Sequence, residues 1–175
     1  AAAVGVKITE EDPILTLNTN ILGTKNVLEA CKSNNVKKII LASSSEVYGE
    51  PLKTPIEESD PAIPITSYGI SKIAAEEYVK AYAVRFGLKY TILRFFNVYG
   101  PGQSKDFVIP EFVSNASKNN PILIHGSGSQ IRSFCHISDI SKGVSLSIEK
   151  GDNEIINIGN ASEPITISEL AKKII

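Results

Sequence analysis

Apolar residues fall into two alternating spacings along the first hundred positions. From Pro13 to Ser33 the apolar Leu17, Ile21, Leu28 and Cys31 recur at intervals that place them on one side of a helix. Asp12-Pro13 supplies an N-cap and a proline at the first helical position, and Asn34-Asn35 supply the stop. Val36 to Ala42 is then an almost unbroken apolar run, Lys37 and Lys38 aside, which predicts a strand covered on both faces as in a parallel sheet. Residues 49–66 hold four of the nine prolines and several acids, which predicts a long surface loop. A helix is expected over Ser67–Phe86 with Gly87 as its C′ residue, and a strand over Lys89–Phe95. Helix, strand, helix, strand is half of a doubly wound α/β sheet.

Beyond residue 100 the pattern is more mixed. A helix is expected over Phe107–Lys118, a short strand over Ile122–His125, a turn at Gly126-Ser127-Gly128 and extended chain over Ile131–Ile137. Ser138 or Asp139 is expected to cap a helix reaching Lys150, followed by a strand over Ile155–Ile158. Thr166-Ile167-Ser168-Glu169 reads as a capping box that opens a last helix.

Composition narrows the class. The chain has 175 residues, 42% hydrophobic and 21% charged, which is ordinary for a globular domain or a domain with a small lobe. A net charge of −1 gives no steering toward nucleic acid or anionic lipid. No apolar run approaches the ~18 residues of a membrane span. Cys31 and Cys135 lie far apart without metal-type spacing, and read as reduced packing residues of a cytoplasmic protein. His125 and His136 have no second ligand at helical spacing, so no metal site is expected. The chain contains no Met and breaks off inside its last predicted helix, so it is expected to be a fragment.

The candidate chemistry lies at predicted strand ends. Ser43-Ser44-Ser45-Glu46-Val47-Tyr48-Gly49 follows the first strand, and Tyr68 and Lys72 stand four apart on the next helix. Residues at that spacing share a helix face. An ammonium near a phenol favours the phenolate, so this tyrosine is expected to serve as a base, with a serine hydroxyl holding the substrate oxygen. Such apparatus suits hydride transfer at a secondary alcohol, which calls for a nicotinamide. Asn97, in Arg94 to Gly102, either donates into the same crevice or belongs to the turn made by the following Gly-Pro-Gly. Arg132, after a glycine turn, is either a phosphate ligand or a solvated side chain.

These segments together resemble the NAD-dependent sugar-nucleotide epimerase/dehydratase family of extended short-chain dehydrogenase/reductases, which includes UDP-glucose 4-epimerase. Ala1-Ala2 is similar to the end of the family's His-Leu-Ala-Ala segment, and Asn20 to Thr24 to its Asn-x-x-Gly-Thr helix. Ser43 to Gly49 resembles its Ser-Ser-Ser-x-Val-Tyr-Gly motif, and Tyr68 and Lys72 fall on its catalytic pair. Arg94 to Gly100 and Gly126 to Asp139 resemble two further blocks, the second departing at Ser133 and Cys135. The resemblance implies an α/β fold: a partial Rossmann-like, doubly wound parallel sheet without its first βα units over 1–100, and a small mixed α/β substrate-binding lobe over 101–175. The strand near 154–158 is a candidate to return to the sheet.

The resemblance also implies roles. Tyr68 is the expected base, and Lys72 binds the nicotinamide ribose and lowers the Tyr68 pKa. Ser44 fits the catalytic hydroxyl best, with Ser45 the near alternative. Ala1, Ala2, Asn20, Ser43 and Phe95 are expected at NAD, with Asn97 and Arg132 at the diphosphate of a nucleotide sugar such as a UDP-sugar. The expected reaction is 4-epimerisation. Glu46 keeps 4,6-dehydration or decarboxylation open, because those branches use acids just after the hydroxyl. A non-catalytic member is a further alternative. The chain has no Gly-x-x-Gly-x-x-Gly turn, so the 175 residues by themselves are expected to bind NAD poorly, without turnover. The full-length protein is expected to form a homodimer through the two long helices.

Overall fold

The computed structural model describes residues 2–175, and the side chains of all of them except Val6 and Lys7. Three parallel strands form its centre: β1 (Lys38–Ser44), β2 (Lys89–Phe95) and β6 (Glu154–Ile158), in the order β1-β2-β6. The register aligns their carboxyl ends, so Ser43, Arg94 and Asn157 lie in one row and Ser44, Phe95 and Ile158 in the next. β6 comes from beyond residue 100 and pairs with β2, so the sheet draws its third strand from the later part of the chain.

The helix expected over 13–33 is present as α2 (Pro13–Leu17), a π-turn (Asn18–Leu22) and α3 (Gly23–Ser33). Asp12 caps it through its side chain, which accepts from Leu15 N at 2.8 Å. Ahead of it lies a further helix, α1 (Val6–Glu11), where the sequence pattern gave no expectation. Leu28 is fully buried, while Leu17, Ile21 and Cys31 are half-buried. The π-turn inserts one extra residue where Asn20 turns inward, a device that recurs near functional sites.

α4 (Ser67–Phe86) has a buried stripe that changes character along its length. Ser71, Lys72 and Glu76 occupy the end beside the strand termini, and Val79 and Tyr82 follow toward the other end. Gly87 ends the helix in the left-handed conformation, with φ 69, as its C′ position predicts. Leu28, Val79, Tyr82, Leu88 and Ile92 form the core between α3, α4 and the sheet. β1 was expected to be covered on both faces, but Ile39, Ile40 and Leu41 are only half-buried and Ala42 is exposed. Apolar composition marks a strand that can be buried; its actual cover is set by the elements that pack on it.

The later elements build a second core. α5 (Val108–Ala116) and α7 (Ile167–Ile174) bring together Phe112, Leu170 and Ala171, with Phe134 and Ile165 against them. β3 (Val98–Tyr99) pairs in parallel with β5 (Cys135–His136), and β4 (Ile131–Ser133) pairs antiparallel with β7 (Pro164–Thr166). The strand expected over Ile122–His125 is absent: this segment has no ladder partner, and Ile122 instead packs against the second core. α6 (Ile137–Glu149) is capped not by Ser138 or Asp139 but by His136, whose Nδ1 accepts from Ser138 N at 3.3 Å. The capping box of α7 forms as expected, Thr166 and Glu169 each bonding the other's backbone N–H.

Candidate active site

The carboxyl ends of β1 and β2 open into a cavity of about 710 Å³, with Ser44, Glu46, Tyr68, Phe95, Asn97 and Gln103 among its walls. A ligand site beyond the carboxyl ends of parallel strands is the usual position in open α/β sheets. The serine run leaves β1 directly into a short 3₁₀ turn, Ser45–Tyr48, because the Ser44 hydroxyl caps that turn by accepting from Glu46 N at 3.2 Å. Across the cleft, Thr66 caps α4 by accepting from Gly69 N at 3.0 Å, which brings Tyr68 into the first turn.

Tyr68, Lys72 and Ser44 lie close together at the strand ends. The Lys72 ammonium lies 5.5 Å from the centre of the Tyr68 ring and donates to the Ala42 carbonyl at 2.8 Å. The Tyr68 phenol is raised to about 12, mainly by burial and further by the Glu46 carboxylate, against a hydrogen bond with Ser44 that pulls it down. The lysine was expected to depress this phenol directly, but it is not among the groups that move it in this arrangement. Burial also disfavours the charge on Lys72, and Glu76 opposes that by holding the ammonium charged.

Glu46 is exposed and accepts from the Thr66 hydroxyl at 2.9 Å. That hydroxyl thus accepts from the helix and donates to the acid. Asn97 lies at the cavity wall with φ 37, a left-handed backbone that asparagine tolerates, and its amide donates to Ser133 O at 3.2 Å. The residue forms the bend between β2 and β3, ahead of the Gly-Pro-Gly turn, and its amide is engaged by backbone rather than aimed into the cavity. Arg132 is exposed, donates to the Ile131 carbonyl at 2.9 Å and does not line the cavity.

The expected NAD contacts are spread unevenly. Phe95 and Ser43 reach the cavity wall. The Ser43 hydroxyl, however, donates to Glu76 at 2.5 Å. Asn20 is buried and its amide is engaged on both sides: it donates to Ser71 Oγ at 2.9 Å and to Ala3 O at 3.1 Å, and it accepts from Ala3 N at 2.9 Å. Ser71 in turn donates to Tyr68 O at 2.7 Å, so Asn20 ties the N-terminal segment to the helix turn that carries the tyrosine. Ala2 is exposed, and Ala1 lies outside the described residues.

Lys72 is the donor that fits a ribose hydroxyl. An ammonium carries three donors, and one of these is bonded to Ala42. The nicotinamide end of NAD would meet Phe95 at the cavity wall and this ammonium, held behind Tyr68 on α4.

Four contributors were not legible beforehand. Thr66, Ser71 and Glu76 act through the side chains they hold. Gln103 donates to Val98 O at 2.8 Å while its Oε1 is buried without a hydrogen-bond partner at the cavity wall. Only the short Ser-Lys-x-x-x-Glu spacing on α4 carried any signal of them.

Fold and site define a Rossmann-type α/β protein with a serine, a tyrosine and a lysine gathered at the carboxyl ends of its strands. More specifically, the chain belongs to the NAD dependent epimerase/dehydratase family, whose sequence model matches residues 1–159. It is 40% identical over 184 aligned positions to a UDP-N-acetyl-alpha-D-glucosaminuronate decarboxylase of Bacillus cytotoxicus, covering 99% of this chain and 56% of that protein. Among solved structures it is similar to the UDP-glucose 4-epimerase of Thermotoga maritima with UDP-glucose, at a TM-score of 0.95 and 36% identity, over 99% of this chain and 58% of the other. It is similar also to a double mutant of dTDP-glucose 4,6-dehydratase from Streptomyces venezuelae with NAD bound, at a TM-score of 0.93 and 29% identity, over 99% and 54% of the two chains. The chain thus spans about half the length of the relatives it matches.

Proposed function

We propose that the protein carrying this chain is an NAD-dependent nucleotide-sugar 4-epimerase. The observation that carries the reading is the meeting of Ser44, Tyr68 and Lys72 at the carboxyl ends of β1 and β2. Tyr68 takes the proton of the sugar C4 hydroxyl, and Ser44 holds that oxygen. Bound NAD⁺ supplies the acceptor for the C4 hydride and, once reduced, the donor that returns it. When the 4-keto sugar has turned over, Tyr68 gives its proton back to the C4 oxygen and the opposite epimer results. A phenol held near 12 stays protonated at neutral pH, so its work as a base depends on positive charge brought closer to it than in this arrangement, from Lys72 or the bound nicotinamide. Ser45 is the alternative hydroxyl. Asn97 and Arg132 are the proposed diphosphate ligands of a UDP-sugar, Arg132 by swinging from Ile131.

A second reading, 4,6-dehydration or decarboxylation, is favoured by one observation: the Glu46 carboxylate lines the cavity and acts on Tyr68. Against it, Glu46 is held by Thr66 at the mouth of α4. Two of the similar proteins are a decarboxylase and a dehydratase, which keeps this reading in play. The experiment is to incubate the protein as its gene encodes it with NAD⁺ and UDP-glucose, UDP-N-acetylglucosamine or UDP-glucuronate and to follow the sugar protons by NMR. A C4 epimer supports the proposal and names the sugar; a 4-keto-6-deoxy or decarboxylated product overturns it in favour of the second reading. The 175 residues alone are proposed not to turn over.

A homodimer is proposed through α2, the π-turn, α3 and α4, which expose Ile14, Leu22, Val27 and Val84. Light scattering that reads a monomer for the full protein removes that proposal. Two free cysteines suit a reducing, cytoplasmic setting.

A further inference from the structure

One helical turn beyond Lys72, Glu76 is fully buried, and Arg94 beside it is 3% exposed. A carboxylate so placed is costly unless charge and hydrogen bonds oppose the burial. Both of its oxygens are engaged: Oε1 accepts from the Ser43 hydroxyl at 2.5 Å and from Arg94 Nε at 3.0 Å, and Oε2 from Arg94 Nη2 at 2.6 Å. The Arg94 guanidinium also lies 4.7 Å above the Tyr48 ring, and the Tyr48 hydroxyl donates to Asn157 at 2.7 Å. The row Ser43, Arg94, Asn157 across the sheet is therefore joined to α4 and to the turn after β1 through a single carboxylate and a single ring.

Lys72 donates to the carbonyl of Ala42, the residue before Ser43. Two successive turns of α4 thus dock on two successive residues of β1, the first through the ammonium and the second through the carboxylate. Packing alone does not call for such an arrangement, since an apolar pair of similar volume is often as stable as a buried ion pair. We propose that Glu76 is a positioning residue for the Tyr68–Lys72 pair: clamped by Ser43 and Arg94, it fixes the end of β1 that holds Lys72 and presents a negative charge to the Lys72 ammonium. The inference rests on the acid–base roles given to Tyr68 and Lys72 above.

Among the described residues, Tyr68 and Glu76 are the titratable groups of α4 that share its face with Lys72. β2 brings Arg94, which Glu76 engages, and the turn after β1 brings Glu46, which acts on Tyr68. α1 brings Glu10 to the cavity wall, and Glu29 of α3 reaches Tyr82 toward the far end of α4. Among them Glu76 is the charge that opposes the effect of burial on Lys72.

The test uses the protein as its gene encodes it, labelled with 13C at lysine Cε, with a Lys72→Arg variant to assign the Lys72 signal. Its titration midpoint is compared in the parent, in Glu76→Gln and in Glu76→Gln/Arg94→Met. The double variant removes the stranded guanidinium and keeps the volume, so it tests the idea even where Glu76→Gln does not fold. The expected result is a lower Lys72 midpoint in each neutral variant that folds, restored toward the parent in Glu76→Asp. Where turnover is seen, kcat falls about tenfold with KM within about twofold, the split expected for a group that acts on the reacting residues without touching substrate. An unchanged Lys72 midpoint in a folded variant overturns the proposal, as does failure of both neutral variants to fold. A lowered midpoint in a protein that turns over no nucleotide sugar supports this placement and sinks the epimerase reading instead.

Discussion

At the scale of single residues, Tyr68 is the proposed base and is poorly placed to act unaided. Its phenol stands at about 12 because it is buried beside Glu46. Tyr68→Phe in the full protein is expected to lower the epimerisation rate by about 10²–10⁴-fold while leaving the fold intact, read from NMR progress curves. Glu46→Gln is expected to change that rate by less than about threefold, since the carboxylate is tied to Thr66. Loss of several orders would move the chemistry to Glu46. A different carboxylate governs the other end of the sheet. Asp152 bonds Lys38 at 2.8 Å and Lys89 at 2.6 Å, and those two ammonium groups hold its carboxyl below the usual range. A depressed folded value gives stability that is present above the unfolded carboxyl value of ~3.9 and is lost as pH falls through the lower folded one. Asp152→Asn is therefore expected to melt below the parent at neutral pH, with the gap closing in acid, in thermal melts from pH 7 downward. The serine, tyrosine and lysine could be read from sequence because their chemistry depends on type and spacing. The tie made by Asn20 was hidden, since its amide is engaged by Ala3 and Ser71, partners that only the folded chain brings near.

At the scale of elements, α4 is the part on which site and stability depend together. Thr66→Ala removes its cap and frees Glu46, and is expected to cost about 1 kcal/mol in urea unfolding. Gly69 lies inside the first turn of this helix, where alanine would ordinarily stabilise by about 1 kcal/mol. Here a Cβ would stand 2.6 Å from the Glu46 carbonyl oxygen and 2.9 Å from Pro64 Cβ. Gly69→Ala is therefore expected to destabilise by about 1–3 kcal/mol and to push Tyr68 away from Ser44, read as a lower midpoint in the same unfolding assay. The extents of α4 and β2 matched the pattern because caps and a C′ glycine mark them locally. Ile122–His125 reads as a strand by composition but finds no ladder partner. His136 as the cap of α6 was equally hidden, since Ser138 and Asp139 are stronger capping residues by type.

For the molecule as a whole, two cores divide the labour. Leu28, Val79 and Ile92 hold the sheet to its helices, while Phe112 and Leu170 hold the later lobe. Leu28→Ala is expected to cost about 2–5 kcal/mol, measured by chemical unfolding, because the side chain is completely enclosed. The chain runs through a π-turn at Asn18–Leu22 between α2 and α3. Removing one codon there would restore an ordinary helix and take away the bulge that turns Asn20 inward. The Ala3 backbone would then leave the Asn20 amide, and the cavity wall formed by Val4 and Gly5 would move with it. Length changes accumulated during divergence should therefore be tolerated in the loop 49–66 and purged from 18–22, so that a gap in one lineage at this turn would mark a protein whose site has been rebuilt.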